Sequence, residues 1–563
     1  MTTIRGILED FLCTQIARLV DLADREGLDA TFYGYPALHD NDHFMRGELM
    51  RNALSLAIRY HKNNDPRSDE LFETINRLSY ILDDYHLGTW GKLRMLEGLA
   101  EAQDEGLLHK LTPKTLEIFR IASDYEDFLD KETLMLKHGL PTNYYHVAMG
   151  CAGFREMLGW ENDGMADKLC AKFIGIMEEN SSAGWADEQP PFGRFDNYTL
   201  NSPMEIAIAL RGIHRQLPAS ILKNLRDSAR LSLKLRNKKG TGFVYGRSIA
   251  AHGDIACALV LSEAMMHDLL TDEEKQQAIP FIGKALEKIR TFWFDEEMGV
   301  INLWLKGRAT NSYRNLTRIL QVSLDLYAKL TLLLNNAEAC GYAEDALPDD
   351  ADFGQTADWT CAEEVFDEGV GKKRALYILR KKDLIFSLPL VGTGSYSTHA
   401  CYQPFPALPQ VIEAAQEATH PFLVPWATLA DGRTVIPAGG YETIEATQGE
   451  NGIVITAKGK MTVVDPSVHD QDPTFFGSFT AEYRFEGHHI HVVFYMEGDV
   501  TAVRMLYAGP AKVAAHGFDT ARDFIPAADD SDFHTPHGAL LRGTEWTGTA
   551  SAVSYAVDLS DLL

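Results

Sequence analysis

"EDALPDDADFGQTADWTCAEEVFDEGVGKK", residues 344–373, marks the point at which the chain changes its period. Before it, apolar residues recur every three to four positions, the spacing of one helix face. After it they alternate, as in strands with one buried face. The first pattern is plain in "ASILKNLRDSARLSLKL", residues 219–235. There Ile221, Leu222, Leu225 and Ala229 share a face while Lys223, Arg226 and Arg230 point elsewhere. The second runs through "NGIVITAKGKMTVVD" (451–465) and "HHIHVVFYMEGDVTAVRMLYAG" (488–509), punctuated by turn dipeptides. The stretch between them is acidic and rich in Asp and Gly, and it reads as a linker.

Working outward, twelve helical segments can be marked between residues 7 and 337, joined in turn by short and long connections. Twelve helices of similar length suit six hairpins closed into a ring, with the long loops gathered on one functional face. The short strands beyond suit an antiparallel sandwich. The expected architecture is therefore α then β. An (α/α)6-type helical toroid occupies residues 1–343, an acidic linker 344–372, and an antiparallel β-sandwich 373–563.

The bulk numbers narrow the function. With 80 acidic against 53 basic residues, the net charge of −27 repels nucleic-acid phosphates and anionic membranes, so neither is an expected partner. No apolar run reaches the roughly 18–20 residues of a bilayer span. The start, "MTTIRGILEDFLCTQIARL", lacks the basic head and continuous apolar core of a signal peptide. Seven scattered cysteines without a CxxC pair fit reduced thiols and a cytoplasmic location. No cofactor motif is present: there is no GxGxxG after a strand, no GxxxxGK[ST], no HExxH and no GxSxG. His489 and His491 share a face in a hairpin but lack an evident third metal ligand, so no metal is expected.

Candidate chemistry collects at the long-loop-to-helix junctions. In "PTNYYHVAMGCAGFREMLGW" (141–160), Asn143 and His146 sit three apart at a helix start, either as polar caps or as an amide and an imidazole aimed into a cleft. In "NSSAGWADEQPPFGRFDNYTLNSP" (180–203), Trp185, Asp187, Glu188, Asp196 and Tyr198 crowd one connection, ahead of a helix that Ser202 and Pro203 are expected to open. In "VYGRSIAAHGDIACA" (244–258), Tyr245 offers a stacking face and Arg247 a planar fork for a carboxylate. Ser248 is the expected N-cap there, with His252 and Asp254 in the first turns. "GSYSTHACYQPFPALPQ" (394–410) sets His399 and Tyr402 in a loop able to reach the ring mouth from the sandwich. His39, Asp40, Asp42 and His43 form another polar loop.

This layout resembles carbohydrate-active enzymes built as an (α/α) toroid followed by a β-sandwich, and most of all the heparinase II/III-type polysaccharide and oligosaccharide lyases. Asn143, Tyr198 and His399 match that family's site residues by order and spacing, and His146 lies one turn beyond Asn143. The resemblance implies β-elimination on a uronate-containing oligosaccharide, without a cofactor. Asn143 and Arg247 would neutralise the substrate carboxylate as enolate charge builds. Tyr198, or a histidine, would move the proton. Tyr245, His252 and Trp185 would bind substrate. Two alternatives stay open. The same scaffold carries uronidase-like glycoside hydrolases, which need two carboxylates, here drawn from Asp187, Glu188, Asp196 and Asp254. A non-catalytic glycan-binding protein would use Trp185, Tyr198 and Tyr245 as platforms.

Overall fold

The computed structural model describes residues 2–563 apart from 33, 37, 39–44, 83–86, 304–318, 349–350, 393–401, 415–421, 451 and 464–473. Among the described residues are twelve α-helices of two kinds. Six are buried nearly all round: α2 (Met45–Lys62), α4 (Thr89–Asp104), α6 (Tyr144–Met157), α8 (Asn197–Gly212), α10 (Ala251–Met266) and α12 (Ile319–Ala339). Each packs on the next, and α12 packs back on α2, so the six close a ring. The other six lie outside it: α1 (Ile4–Glu26), α3 (Arg67–Leu78), α5 (Pro113–Ala122), α7 (Met165–Asn180), α9 (Ala219–Lys234) and α11 (Asp272–Lys288).

The two kinds differ in sequence for a physical reason. An inner helix meets protein on every side, so α10 buries each residue from Ala251 to Met265. An outer helix keeps a wet face, and α9 buries Ile221, Leu225 and Ala229 while Lys223, Arg226 and Arg230 stay exposed. The fold is thus the expected helical toroid followed by antiparallel β-structure. None of the described helices is long and apolar enough to cross a membrane.

Three two-residue hairpins decorate the ring: β1 (Thr31–Phe32) with β2 (Tyr35–Pro36), β3 (Leu129–Asp130) with β4 (Met135–Leu136), and β5 (Phe294–Asp295) with β6 (Val300–Ile301). The C-terminal half holds two larger sheets. One is three-stranded, in the order β7 (Thr356–Gly369), β8 (Lys372–Lys382), β9 (Leu384–Leu390). The other is ten-stranded and antiparallel throughout. Its strands are β10 (Trp426–Leu429), β11 (Thr434–Gly449), β12 (Gly452–Val463), β13 (Phe475–Glu486), β14 (His489–Glu497), β15 (Val500–Ala508), β16 (Lys512–His516), β17 (Thr520–Phe524), β20 (Gly543–Gly548) and β21 (Ala552–Asp558). They lie in the order β16-β21-β14-β13-β12-β11-β10-β15-β20-β17, with the small hairpin β18 (His534–Thr535) and β19 (Gly538–Ala539) apart.

The expected linker at 344–372 needs correction, because its second half is the strand β7. Phe366 in β7 stacks on Phe195 at 5.0 Å and meets Trp185 edge-on at 5.6 Å, both in the α7–α8 loop. The acidic residues around Phe366 pair with Lys234, Lys373 and Arg374, so an acidic composition conceals a packed strand. The three-stranded sheet is a middle layer. Leu376 and Ile378 of β8 join the helical core, while Ala375, Tyr377 and Leu379 join the core of the ten-stranded sheet. Burial on both faces explains why "RALYIL" reads as a continuous apolar run rather than an alternation.

Candidate active site

The ring axis holds a cavity of about 160 Å³ walled by the inner helices. Glu48 enters from α2, Trp90 from α4, Tyr144 from α6, Tyr198, Asn201 and Glu205 from α8, His252 from α10, and Gln321, Asp325 and Lys329 from α12. These side chains share a reason for pointing inward. Each belongs to a helix that is otherwise buried in apolar neighbours, so the axis is the direction in which a polar group finds partners.

Charge in the axis is paired. Arg94 donates to both oxygens of Glu205, at 3.0 and 2.6 Å, and to Glu97 at 2.8 Å, and its Nε lies 3.6 Å from Asp325. Lys329 holds Asp325 at 2.8 Å, and the His252 Nδ1 stands 3.6 Å from it. Burial alone would raise the Asp325 carboxyl, but Lys329, Arg94 and His252 outweigh it and hold the group well below the usual carboxylate range. Glu48 goes the other way. Burial, reinforced by the negative charge of Asp325, pushes its carboxyl up to about 8. It accepts a bond from Gln321 Nε2 at 3.2 Å, and its second oxygen has no partner among the described residues.

Above this network lies a rim built from residues the sequence singles out. Tyr198 stands in the first turn of α8, which begins at Asn197 instead of the expected Ser202. The earlier start arises because Asp196 is the N-cap: its side chain accepts from the Tyr198 N–H, and the Thr199 hydroxyl accepts from the Asp196 N–H. Pro203 is carried inside the helix. Ser248 is likewise not the cap of α10, a place taken by Ala250. The Ser248 hydroxyl instead donates to the Tyr198 phenol at 3.0 Å. Ser248 and Ala250 adopt φ of 54° and 65°, a backbone region that costs a non-glycine residue energy and that collects at functional sites.

The Arg247 guanidinium lies 5.0 Å over the Tyr198 ring. Its Nη2 is paired with Glu188, and its Nε stands 3.7 Å from Asp196. The expectation of an open fork for a substrate carboxylate is corrected here, since protein carboxylates already occupy it. Glu188 also accepts from the Asn143 N–H at 3.2 Å, so one carboxylate ties Asn143 to Arg247. Trp90 joins the other side, with its ring 5.1 Å from His146 and 6.4 Å from Tyr198. Asn143 and His146 sit behind this indole and are not part of the cavity wall. Burial lowers the His146 ring to about 3, so it is a neutral imidazole. The Asn143 Oδ1 and both His146 nitrogens lack partners among the described residues, at a cost of about 1–3 kcal/mol for each unsatisfied group.

The remaining expected residues fall elsewhere. Trp185 packs on β7 and does not bind at the axis. Tyr245 is buried against Phe243 at 4.6 Å, away from the cavity. Asp187 accepts backbone N–H groups from Gln189, Gly193 and Arg194 at 2.8–2.9 Å, which closes its own loop. Asp254 accepts from Gly242, Trp293 and Lys288 at 2.7–2.8 Å. Asp196 receives the Tyr402 hydroxyl, and Tyr402 in turn accepts from Arg194 at 3.0 Å. A loop from the β-half thus reaches the start of α8. The four carboxylates expected of a hydrolase, Asp187, Glu188, Asp196 and Asp254, are all committed to protein partners. His399, His39, Asp40, Asp42 and His43 lie outside the described residues.

Sequence reading missed Glu48, Trp90, Arg94, Glu205, Asp325 and Lys329. For the five that are charged, the signal is a charge set inside an apolar helical run, as in "GELMRNALSLAI", "SPMEIAIAL" and "VSLDLYAKL". In a helix buried on all sides, such a residue marks the axial stripe.

No family model matches the chain, and no curated protein matches it in sequence. Among solved structures it is similar to heparinase III, at 9% identity and a TM-score of 0.38, covering 99% of this chain and 86% of that one. It is similar to a Paenibacillus xanthan lyase at 10% identity and a TM-score of 0.40, covering 97% and 57%. It is also similar to a glycosyl hydrolase of family 88 from Bacteroides vulgatus, at 7% identity and a TM-score of 0.34, covering 57% and 99%.

Proposed function

We propose that the chain is a carbohydrate-active enzyme that cleaves uronic-acid-containing oligosaccharides by β-elimination, with Tyr198 moving the proton. The observation that carries this reading is the setting of Tyr198. Its phenol lines the cavity and receives the Ser248 hydroxyl, with the Arg247 guanidinium over its ring. A donor therefore meets the oxygen that must take a proton and give it back, and a positive charge lies over its ring. In the reaction, the base removes the proton from C5 and the C4–O bond breaks. The electron pair forms the C4–C5 double bond, and the leaving oxygen receives the proton. Asn143 lies outside the cavity wall, so its proposed part is to hold the rim through Glu188 and not to meet the substrate carboxylate. Arg247 serves to hold Tyr198, because Glu188 and Asp196 already engage it.

A second reading has its own support. Glu48 and Asp325 line one cavity, and their surroundings push the two carboxyls in opposite directions. A protonated acid facing an ionised carboxylate is the arrangement that hydrolysis needs. One experiment separates the readings. A panel of uronate oligosaccharides is incubated with the protein, and near-ultraviolet absorbance is recorded together with reducing-sugar release. Elimination raises both, because its product carries a conjugated double bond. Reducing ends without the chromophore would remove the lyase reading and leave the hydrolase.

A further inference from the structure

We infer that the axial cavity is a blind subsite for the terminal sugar of the substrate, so that the enzyme trims chains from one end instead of cutting them internally. This rests on the reading of the substrate as an oligosaccharide, and it holds whether the bond breaks by elimination or by hydrolysis.

Three observations carry it. Among the described residues the axis is plugged: Arg94 is 2% exposed and is bound to Glu205 and Glu97, while Lys329 and Asp325 close the side toward α12. A polysaccharide cannot thread through a ring whose centre holds a buried ion network, since its passage would strand those charges. The cavity is also small. At about 160 Å³ it lies below the roughly 300 Å³ at which ligand pockets usually begin, and this suits one sugar ring better than several. Finally, its wall is under-satisfied. Glu48 Oε2, Asn197 Oδ1 and Asn201 Oδ1 are buried, and none has a partner among the described residues. A sugar supplies hydroxyl groups, each both donor and acceptor, which is what such a wall lacks. Glu48 is uncharged at neutral pH, so its carboxyl can give as well as take a hydrogen bond. Trp90 and Tyr144 supply apolar faces beside these groups.

The test uses the full chain and uronate oligosaccharides of defined length carrying a fluorophore on the reducing end. Labelled chains should shorten one unit at a time, and single terminal units should be released from the earliest time point. Labelled products of several lengths appearing together would overturn the inference while leaving the substrate reading intact. Absence of turnover across the panel would overturn both. Variants then address Glu48. Under elimination, where Glu48 only binds, Glu48→Leu should raise KM roughly three- to tenfold, the loss of about one hydrogen bond, with kcat little changed. Under hydrolysis, where Glu48 is the acid, kcat should collapse as well. Glu48→Gln keeps an uncharged hydrogen-bonding head and should rescue KM. A collapse of kcat in Glu48→Gln would make Glu48 a proton donor and overturn its positioning role.

Discussion

Two regions of this molecule that hold buried carboxylates, the ring axis and the loop between α7 and α8, satisfy them in different ways. In the loop, Asp187 and Asp196 accept backbone N–H groups from residues a few positions away, so each carboxylate shapes its own stretch of chain. In the axis, Glu205 and Asp325 are met by side chains from other helices, Arg94 for both and His252 for Asp325, and Glu48 keeps one oxygen unpaired among the described residues. Burial of charge is therefore a poor guide to chemistry. What separates the regions is whether the partners are local backbone or convergent side chains around a cavity.

The largest expected effect tests whether the rim above the axis is chemical. Tyr198→Phe removes one oxygen and keeps the packed ring, so the melting temperature should hold. Activity on a uronate oligosaccharide should fall roughly 100- to 10,000-fold. A folded variant with near-normal turnover would place proton transfer elsewhere.

Next comes the loop. Asp187→Ala leaves the Gln189, Gly193 and Arg194 N–H groups without their acceptor and should cost roughly 3 kcal/mol in chemical denaturation. Turnover per folded molecule should persist. Loss of turnover with unchanged stability would reverse the assignment of the two regions.

Arg247 belongs to both, since it binds the loop carboxylates and covers the Tyr198 ring. Arg247→Lys keeps the charge but loses the fork, and should cost roughly 1.5–3 kcal/mol, divided between unfolding free energy and kcat/KM. An effect on stability alone would detach Arg247 from the rim.

The most gradual effect is a pH slope. With a folded value of about 8 against an ordinary 4.5, Glu48 keeps a proton that the unfolded chain releases. Its stabilising contribution is complete below pH 4.5 and is lost as pH rises through 8. The slope is at most about 1.4 kcal/mol per pH unit for this one group. Between pH 6 and 9 the melting temperature of the wild type should fall more than that of Glu48→Gln. Parallel curves would mean that Glu48 is not held protonated.

Much of the rim was legible from local chemistry. Asn143, His146, Glu188, Tyr198 and Arg247 were all picked out as polar residues at long-loop-to-helix junctions, and the structure brings them into one constellation around Trp90 and Glu188. The errors were also local. Pro203 resembles a first-turn proline and so points to a helix start at Ser202, yet the Asp196–Thr199 box starts α8 earlier. Acidic composition points to a linker, although Phe366 anchors that stretch between Trp185 and Phe195.

By itself, the sequence determined the alternation of helices, the change to strands and the residues at the loop junctions. Those features follow from backbone periodicity and capping, which act over a few residues. Only the tertiary structure decided which charges meet. Arg94 meets Glu205 across 111 residues where α4 faces α8, and Glu48 comes beside Asp325 when α12 closes on α2. In each helix taken alone, an axial charge is one polar residue in an apolar run. Ring closure turns six such stripes toward one another, and the low dielectric of that interior sets which carboxyl keeps its proton.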